Sequence, residues 1–383
     1  MKILHLIYTH GIAGAEKYLR HLLPPLQKEN ISSHLILVCA PGFEKKLQEY
    51  AVELNALGIP CIVLIHSKTG FFTAAKKIAA YTRQHQIQFL HSHLINSDIL
   101  AILVKFFYNK NLVLISTKHG YSEQIVKQIT DADNLGGLKY KARLKPYYYI
   151  AWLTLKLIPN NFAVSRAMSR VYQQLGFTKT AMPYIYHGVT VPVAVNNEGK
   201  LAQPQLIIIG RLELVKGHFY LLKAMPAIIA QYPSCKLLIL GEGSERVNLE
   251  RIARDLGISN NVEFMGFQPN PYPYIQQSDL VIIPSLFEPF GLVFIEALAL
   301  QKTIVAFDVA AGNEILSHLK TAVLVNKADA KQLEKNILNL LQNKALNETI
   351  AQNGFQHYNK CFTTGVMIES TKKYYLSLVH PQK

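Results

Sequence analysis

One repeating feature constrains this chain more than any other: short apolar runs alternate with amphipathic stretches along its 383 residues. Lys2–Tyr8 (KILHLIY) reads as a strand and Glu16–Leu26 as the helix after it. His34–Cys39, Cys61–Leu64, Phe89–His91, Leu112–Thr117 and Asn161–Ala163 continue the strand series, with Phe72–His85 as an amphipathic helix among them. Such alternation predicts a parallel sheet covered by helices on both faces. It breaks once, at Val191–Pro204 (VPVAVNNEGKLAQP), a linker rich in proline and polar residues. It then restarts with Gln205–Ile209 as strand, His218–Gln231 as helix, Lys236–Leu240 as strand and Ser244–Leu256 as helix. Val262–Phe264, Leu280–Pro284 and Thr303–Phe307 follow as strands. The expectation is two doubly wound α/β domains, 1–190 and 191–361, with ligand in a cleft at the carboxyl ends of their strands.

Composition narrows the function. Half the residues are hydrophobic and 17% are charged, which suits a globule. The four cysteines, Cys39, Cys61, Cys235 and Cys361, form no CxxC pair, so neither a zinc site nor a disulfide framework is expected. No leader pattern follows MKILHLIYTHG and no run of about 20 apolar residues occurs, which points to a cytoplasmic protein. The formal charge is +15, and 22 Lys+Arg against 10 Asp+Glu fall within residues 1–198. A basic half of this kind attracts nucleic acid, anionic lipid or a phosphorylated substrate.

The most informative segment is Pro284–Leu300 (PSLFEPFGLVFIEALAL). Glu288 follows a strand end. Pro289 and Gly291 suit a helix entrance closely approached by a ligand. The first turn aims backbone amides outward, a ready anion site. Glu296 sits on a helix with almost no other polar residue, and a buried carboxylate needs donors such as the hydroxyls of a ribose diol, or else a lysine or arginine elsewhere in the chain. In Ile207–Gly217 (IIIGRLELVKG), Arg211 and Lys216 follow a buried strand, a planar fork and a point charge suited to a diphosphate.

Together these segments resemble the signature of the retaining glycosyltransferase family four, of the GT-B fold. The resemblance covers nearly the whole chain and is strongest over residues 205–300. It implies two Rossmann-like domains facing each other across a cleft, with the C-terminal helix, 362–383, packing back on the N-terminal domain. It implies a UDP- or GDP-sugar donor, no required cofactor or metal, and a saccharide or lipid-linked acceptor on the N-terminal domain. Glu288 would contact donor-sugar hydroxyls and Glu296 the ribose. The amides of Phe290, Gly291 and Leu292 would face sugar and diphosphate, and Arg211 and Lys216 would stabilise the departing diphosphate. The base would lie beside Gly266, Phe267 and Gln268, read largely by backbone groups. The glycines of LILGEGSE, Gly241 and Gly243, suit tight packing beside the nucleotide. Gly312 and Glu314 align with a further family block that DVAAGNE departs from.

In the N-terminal half, THGIAGAE resembles the family's glycine-rich loop, with Ala13 where glycine is common; Gly14 would bring its amide to the diphosphate. Two histidine clusters, His91-Ser92-His93 and Ser116–Gly120 (STKHG), read as following strands. By resemblance His119 is the active-site histidine, near the reacting carbon, and His93 a second histidine of the cleft wall. Ser165 reads as a helix N-cap and His187-Gly188 as the structural close of the first domain. Leu138–Pro159 places four cations before Tyr147, Tyr148, Tyr149 and Trp152, which suits an anionic membrane surface and a peripheral enzyme of surface-polysaccharide or lipopolysaccharide synthesis on the inner face of the cytoplasmic membrane. The competing readings are a nucleotide-sugar epimerase or a phosphorylase of the same fold, and a basic nucleic-acid-binding protein. No zinc finger, RNP-type strand or helix-turn-helix signal supports the last, so no nucleic-acid partner is expected.

Overall fold

The computed structural model describes residues 1–66, 70–120, 145–191 and 203–379. Among them, one compact unit takes residues 1–120, 145–188 and 364–379, and a second takes 189–191 and 203–363. Most of the expected linker, 192–202, lies outside the described residues.

The first unit is built on a six-stranded parallel sheet: β1 (Lys2–Tyr8), β2 (Ser32–Cys39), β3 (Cys61–Ile65), β4 (Phe89–His93), β5 (Val113–Lys118) and β6 (Asn160–Ala163). Their order across the sheet is β3-β2-β1-β4-β5-β6. β1 is central, pairing Ile3 with Ser33 on one side and with Phe89 on the other. Its five inner residues are buried on both faces, which is why it reads as an apolar run interrupted by His5 alone. Helices Gly14–Lys28 and Thr364–Val379 cover one face; Phe71–Gln84 and Ile95–Leu103 pack against the other. The chain's last helix is held to the unit by Lys372 against Glu29 at 2.8 Å and by the amide of Gly188 donating to the Met367 sulfur at 3.1 Å. Phe362, two residues earlier, belongs to the second unit, where its carbonyl accepts from the Val189 amide at 3.1 Å. Ser165 caps the helix Arg166–Gln174 by accepting from the Met168 amide at 2.9 Å.

Two polar layers lie inside this sheet. On one face, Asp98 accepts from Ser92 Oγ at 2.5 Å and Ser116 Oγ at 2.6 Å, and pairs with Lys118 Nζ at 2.6 Å. Asp98 is 1% exposed and Lys118 6%, so neither charge has water to fall back on. On the other face, β1 and β4 are in register at His5 and His91, and His93 follows two residues on with its side chain on the same face. These three rings are fully buried. His91 is closed off by hydroxyls, Tyr375 Oη at 2.8 Å from Nδ1 and Thr117 Oγ1 at 2.7 Å from Nε2. His187 stacks on Tyr18 with centroids 4.4 Å apart. Burial holds every one of these imidazoles neutral: His5 is pushed down to about 3, and His91, His93 and His187 fall well below the usual histidine range.

The second unit repeats the plan. β7 (Gln205–Ile209), β8 (Lys236–Leu240), β9 (Val262–Gly266), β10 (Leu280–Ile283), β11 (Thr303–Phe307) and β12 (Val323–Val325) form a parallel sheet in the order β12-β11-β10-β7-β8-β9. Its core runs from Leu206 and Ile208 through Leu237 and Ile239 to Val305 and Phe307, under helices His218–Gln231 and Ala330–Gln342. The three-residue edge strand β12 and the helices Ala330–Gln342 and Lys344–Cys361 have no counterpart among the sequence expectations.

Two outcomes follow for the first unit. Replacing Asp98 by alanine strands the buried Lys118 charge, and should lower its unfolding free energy by about 3–5 kcal/mol in a denaturant titration. The apolar double variant Asp98→Leu/Lys118→Met should lose less than Asp98→Ala alone; an equal or larger loss would argue against a desolvated pair. The histidine layer sets the acid limit. With folded values depressed below the ordinary 6.5, its stability is fully present above pH 6.5. As pH falls from there toward about 3, the unfolded chain takes up protons that the folded unit refuses. Each histidine then removes roughly 1 kcal/mol per pH unit, read as a falling thermal midpoint.

Candidate active site

β7 and β10 are neighbours, and the connections beyond them run to opposite edges of the sheet. This is the switch point of a doubly wound sheet, where the loops that leave adjacent strand ends diverge and open a crevice. The two segments singled out in the sequence meet here. Gly217 is left-handed at φ +70°, and a Cβ on it would stand 1.8 Å from the carbonyl oxygen of Pro284. Only glycine allows that backbone approach. Leu286 N donates to Val215 O at 2.8 Å, lacing the same two loops.

Across this junction Lys216 Nζ lies 2.6 Å from Glu288 Oε2, with the side chains 22% and 11% exposed. The lysine stem passes over Gly210, whose added Cβ would lie 3.5 Å from Lys216 Cγ. Glu288 is kept close by Gly291, left-handed at φ +90°, where a Cβ would stand 2.9 Å from Glu288 Cγ and 2.5 Å from the Phe294 ring. Gly291 is also the N-cap of the helix Leu292–Ala299, so the backbone around Phe290, Gly291 and Leu292 forms that helix entrance. Phe290 is buried, its ring edge-on to Phe362 at 6.2 Å. Glu296, in the second turn, is 3% exposed. Arg211 stands exposed at the end of the β7 turn. The structure therefore brings Lys216 and Glu288 into direct contact and sets Arg211 and Glu296 on the same two segments.

The neighbouring turns are held as tightly. Gly241, at φ +144°, has its Cβ position 1.9 Å from the Gly210 carbonyl oxygen, and that of Gly243 lies 2.3 Å from the Leu212 carbonyl oxygen. Gly241 N donates to Gly266 O at 2.8 Å. Gly266 is left-handed at φ +68°, with Glu242 Oε1 2.7 Å from its Cβ position. Arg246 pairs with that glutamate at 3.2 Å and donates to Phe264 O at 3.4 Å. Glu242 and Arg246 escaped the sequence reading because each is an ordinary surface charge until the β9 turn folds over it. Phe267 is half exposed. The Gln268 amide is occupied by its own turn, donating to Met265 O at 2.8 Å and accepting from Tyr274 Oη at 3.3 Å. Gly312 packs into the core of the short helix Ala310–Ile315, with Glu314 beside it half-buried.

In the first unit, Gly14 opens the helix Gly14–Lys28 and is exposed, and a Cβ there would meet nothing within 4 Å. Packing does not explain a glycine at that position. The turn before it is fixed by Glu16, which accepts from the Ala13 amide at 2.8 Å. His119 lies one residue past β5, and His93 is not in a loop but is the last residue of β4, fully buried. His119 Nε2 is 3.0 Å from His93 Nδ1. Burial, reinforced by the Lys118 charge, pushes His119 down to about 3, so its imidazole is neutral. His5, which the sequence reading did not single out, stands 3.1 Å from His93 on the far side. Alternate-residue spacing in two paired strands was the signal that could have found it. His5, His91 and His93 offer nitrogens within 4.8 Å of one another, as a metal site would. Both nitrogens of His91 and both of His93 are, however, already spent on hydrogen bonds. Of the basic-aromatic stretch, residues 138–144 lie outside the described residues. The remainder forms the helix Lys145–Leu157, with Tyr149, Ile150 and Leu153 exposed and Lys156 Nζ 4.0 Å over the Trp152 ring. Among the described residues no helix is long and apolar enough to cross a membrane.

Comparison with known proteins places this arrangement. Residues 12–191 match Glycosyltransferase Family 4, and residues 195–357 match Glycosyl transferases group 1. An uncharacterised glycosyltransferase of Methanocaldococcus jannaschii is 29% identical over 46% of this chain and 46% of its own length. The chain spans less than half the length of the first curated relatives it matches. A longer alignment, 24% identical over 89% of the chain and 90% of the relative, is to the N-acetylgalactosamine-N,N'-diacetylbacillosaminyl-diphospho-undecaprenol 4-alpha-N-acetylgalactosaminyltransferase of Campylobacter jejuni. Among solved structures, Anabaena HepE in complex with UDP-glucose superposes with a TM-score of 0.78 at 20% identity, covering 98% of this chain and 100% of that one. With two matched regions that together take in nearly the whole chain, and with the GT-B fold of its structural neighbours, the protein belongs to the family-four glycosyltransferases.

Proposed function

We propose that the chain is a retaining hexosyltransferase, moving a sugar from a UDP- or GDP-sugar to a saccharide or lipid-linked acceptor in cell-surface polysaccharide or lipopolysaccharide synthesis. The observation that carries this reading is the 2.6 Å pair of Lys216 and Glu288 at the switch point of the second sheet. In the chain alone each charge satisfies the other. A donor diphosphate would draw the Lys216 ammonium and the Arg211 fork, leaving Glu288 lone pairs for the sugar hydroxyls. The cations would then neutralise the charge that builds on the leaving diphosphate, chemistry that calls for no metal.

The other roles follow the same donor. Glu296 accepts from the ribose hydroxyls, and the amides of Phe290, Gly291 and Leu292 face sugar and diphosphate. The base lies beside Gly266, Phe267 and Gln268, where the occupied Gln268 amide favours backbone recognition. The first unit contributes the Gly14 amide to the diphosphate and His119 to the sugar, and takes the acceptor. The HepE complex with UDP-glucose and the undecaprenol-linked substrate in the Campylobacter relative's name support the donor and acceptor classes.

Lys216→Ala and Glu296→Ala should each lower kcat/KM by about 100-fold or more with the fold intact by circular dichroism. Near-normal turnover in either would count heavily against the site. The donor is to be identified by a thermal-shift panel of nucleotide sugars, since a ligand bound only by the folded chain raises the midpoint. The basic first half and the exposed Tyr149, Ile150 and Leu153 support a peripheral location on anionic lipid. Flotation with anionic liposomes at low salt should carry the protein to the top fraction, and its absence there would remove the membrane role.

A further inference from the structure

Three histidines of the first unit form a continuous chain of hydrogen bonds. His5 Nδ1 is 3.1 Å from His93 Nε2, and His93 Nδ1 is 3.0 Å from His119 Nε2. The rings follow one another with centroids 5.4 and 5.3 Å apart. The two nitrogens at the ends, His5 Nε2 and His119 Nδ1, are buried without a protein partner among the described residues. His91, beside this chain, is closed by Tyr375 and Thr117 and takes no part in it.

A neutral imidazole has one N–H and one lone pair. Each ring-to-ring contact needs one of each, so the three tautomers cannot be chosen separately. Either every proton sits on Nδ1, so that His119 Nδ1 carries an N–H and His5 Nε2 keeps a bare lone pair. Or every proton sits on Nε2, so that His119 presents a lone pair and His5 buries an N–H with no acceptor. An orphaned buried N–H is the rarer and costlier outcome. Each arrangement leaves one such N–H, on His119 in the first and on His5 in the second. His119 is a half-buried residue beyond the strand, where water or a sugar oxygen can come to accept it, whereas His5 is 0% exposed in the central strand, so the first arrangement wins.

We propose that His5 and His93 are positioning residues that lock His119 as the Nδ1–H tautomer, so that it meets substrate as a hydrogen-bond donor to oxygen and not as a base. This rests on the reading that His119 serves the sugar donor. It deepens that reading by assigning the ring a direction: His119 donates to a sugar oxygen, and the proton that leaves the acceptor goes elsewhere. His93 is the key member because it is the only one whose two nitrogens both face histidine.

The test is the tautomer itself, read from two-bond proton–nitrogen correlations in protein labelled with ¹⁵N-histidine, with donor hydrolysis measured in parallel. In the unaltered chain the His119 and His93 signals should be those of Nδ1–H rings. His93→Phe removes the inner donor, and His119 should revert toward the Nε2–H form that imidazole ordinarily favours. Turnover of the donor should then fall by about 10- to 100-fold, mainly in kcat. His93→Asn, whose amide can donate from the Nδ1 position, should restore both the Nδ1–H signal and most of the turnover. If His93→Phe does not fold, His5→Leu gives the same readout one ring further in, as a mixed His119 tautomer. An Nε2–H His119 in the unaltered chain, an unmoved His119 in folded His93→Phe, or a stoichiometric metal copurifying on His5, His91 and His93 would overturn the proposal. Failure of the unaltered chain to hydrolyse any nucleotide sugar would sink the sugar-transfer reading instead, leaving the tautomer result standing.

Discussion

The second unit depends on a backbone contact that only a glycine permits. Gly217 lies so near the Pro284 carbonyl that any Cβ would overlap it. Because that contact holds, the β7 loop and the loop after β10 share one junction, and Lys216 reaches Glu288 over a gap of 72 residues in sequence. Gly241 and Gly243 make the same kind of approach one strand over, against Gly210 and Leu212. The site is thus a stack of backbone turns in van der Waals contact, with charges mounted on its rim. Rigid turns fix the backbone from which Lys216 and Glu288 project.

The first unit solves a different problem. Its central strands carry histidines, serines, an aspartate and a lysine where apolar residues would be cheaper to bury. Some of these groups are matched in closed sets: Asp98 with two hydroxyls and an ammonium, His91 with two hydroxyls. The His5–His93–His119 chain is open at both ends. Closed sets make one arrangement of the sheet unique, while an open chain hands a proton position from the core to a residue beyond the strand.

Much of this was legible beforehand, and the legible parts have a common character. The strands Gln205–Ile209, Lys236–Leu240 and Thr303–Phe307 and the helix His218–Gln231 have the bounds that their apolar periodicity predicts. The Lys216 and Glu288 segments announced themselves because a proline, glycines and charges cluster within a few residues of a buried strand. The rest was missed for separate reasons. β12 is three residues long, too short for any period. Helix Lys344–Cys361 carries few large apolar residues and so shows no clear stripe, whereas Ala330–Gln342 has one in Leu333, Ile337 and Leu340 that the sequence reading passed over. β4 was ended two residues early because HSH looks like a loop until β1 and β5 pair on either side of it.

Sequence alone determined the class of fold, the two-part plan and the residue types at the second unit's strand ends, because those depend on periodicity and on neighbours a few positions apart. Tertiary structure decided which groups touch. Strand register set His5 against His91 and left His93 between His5 and His119, and sheet order made β7 and β10 adjacent. Register and sheet order are choices among pairings of distant segments, made by total burial and steric fit, and no local pattern encodes them.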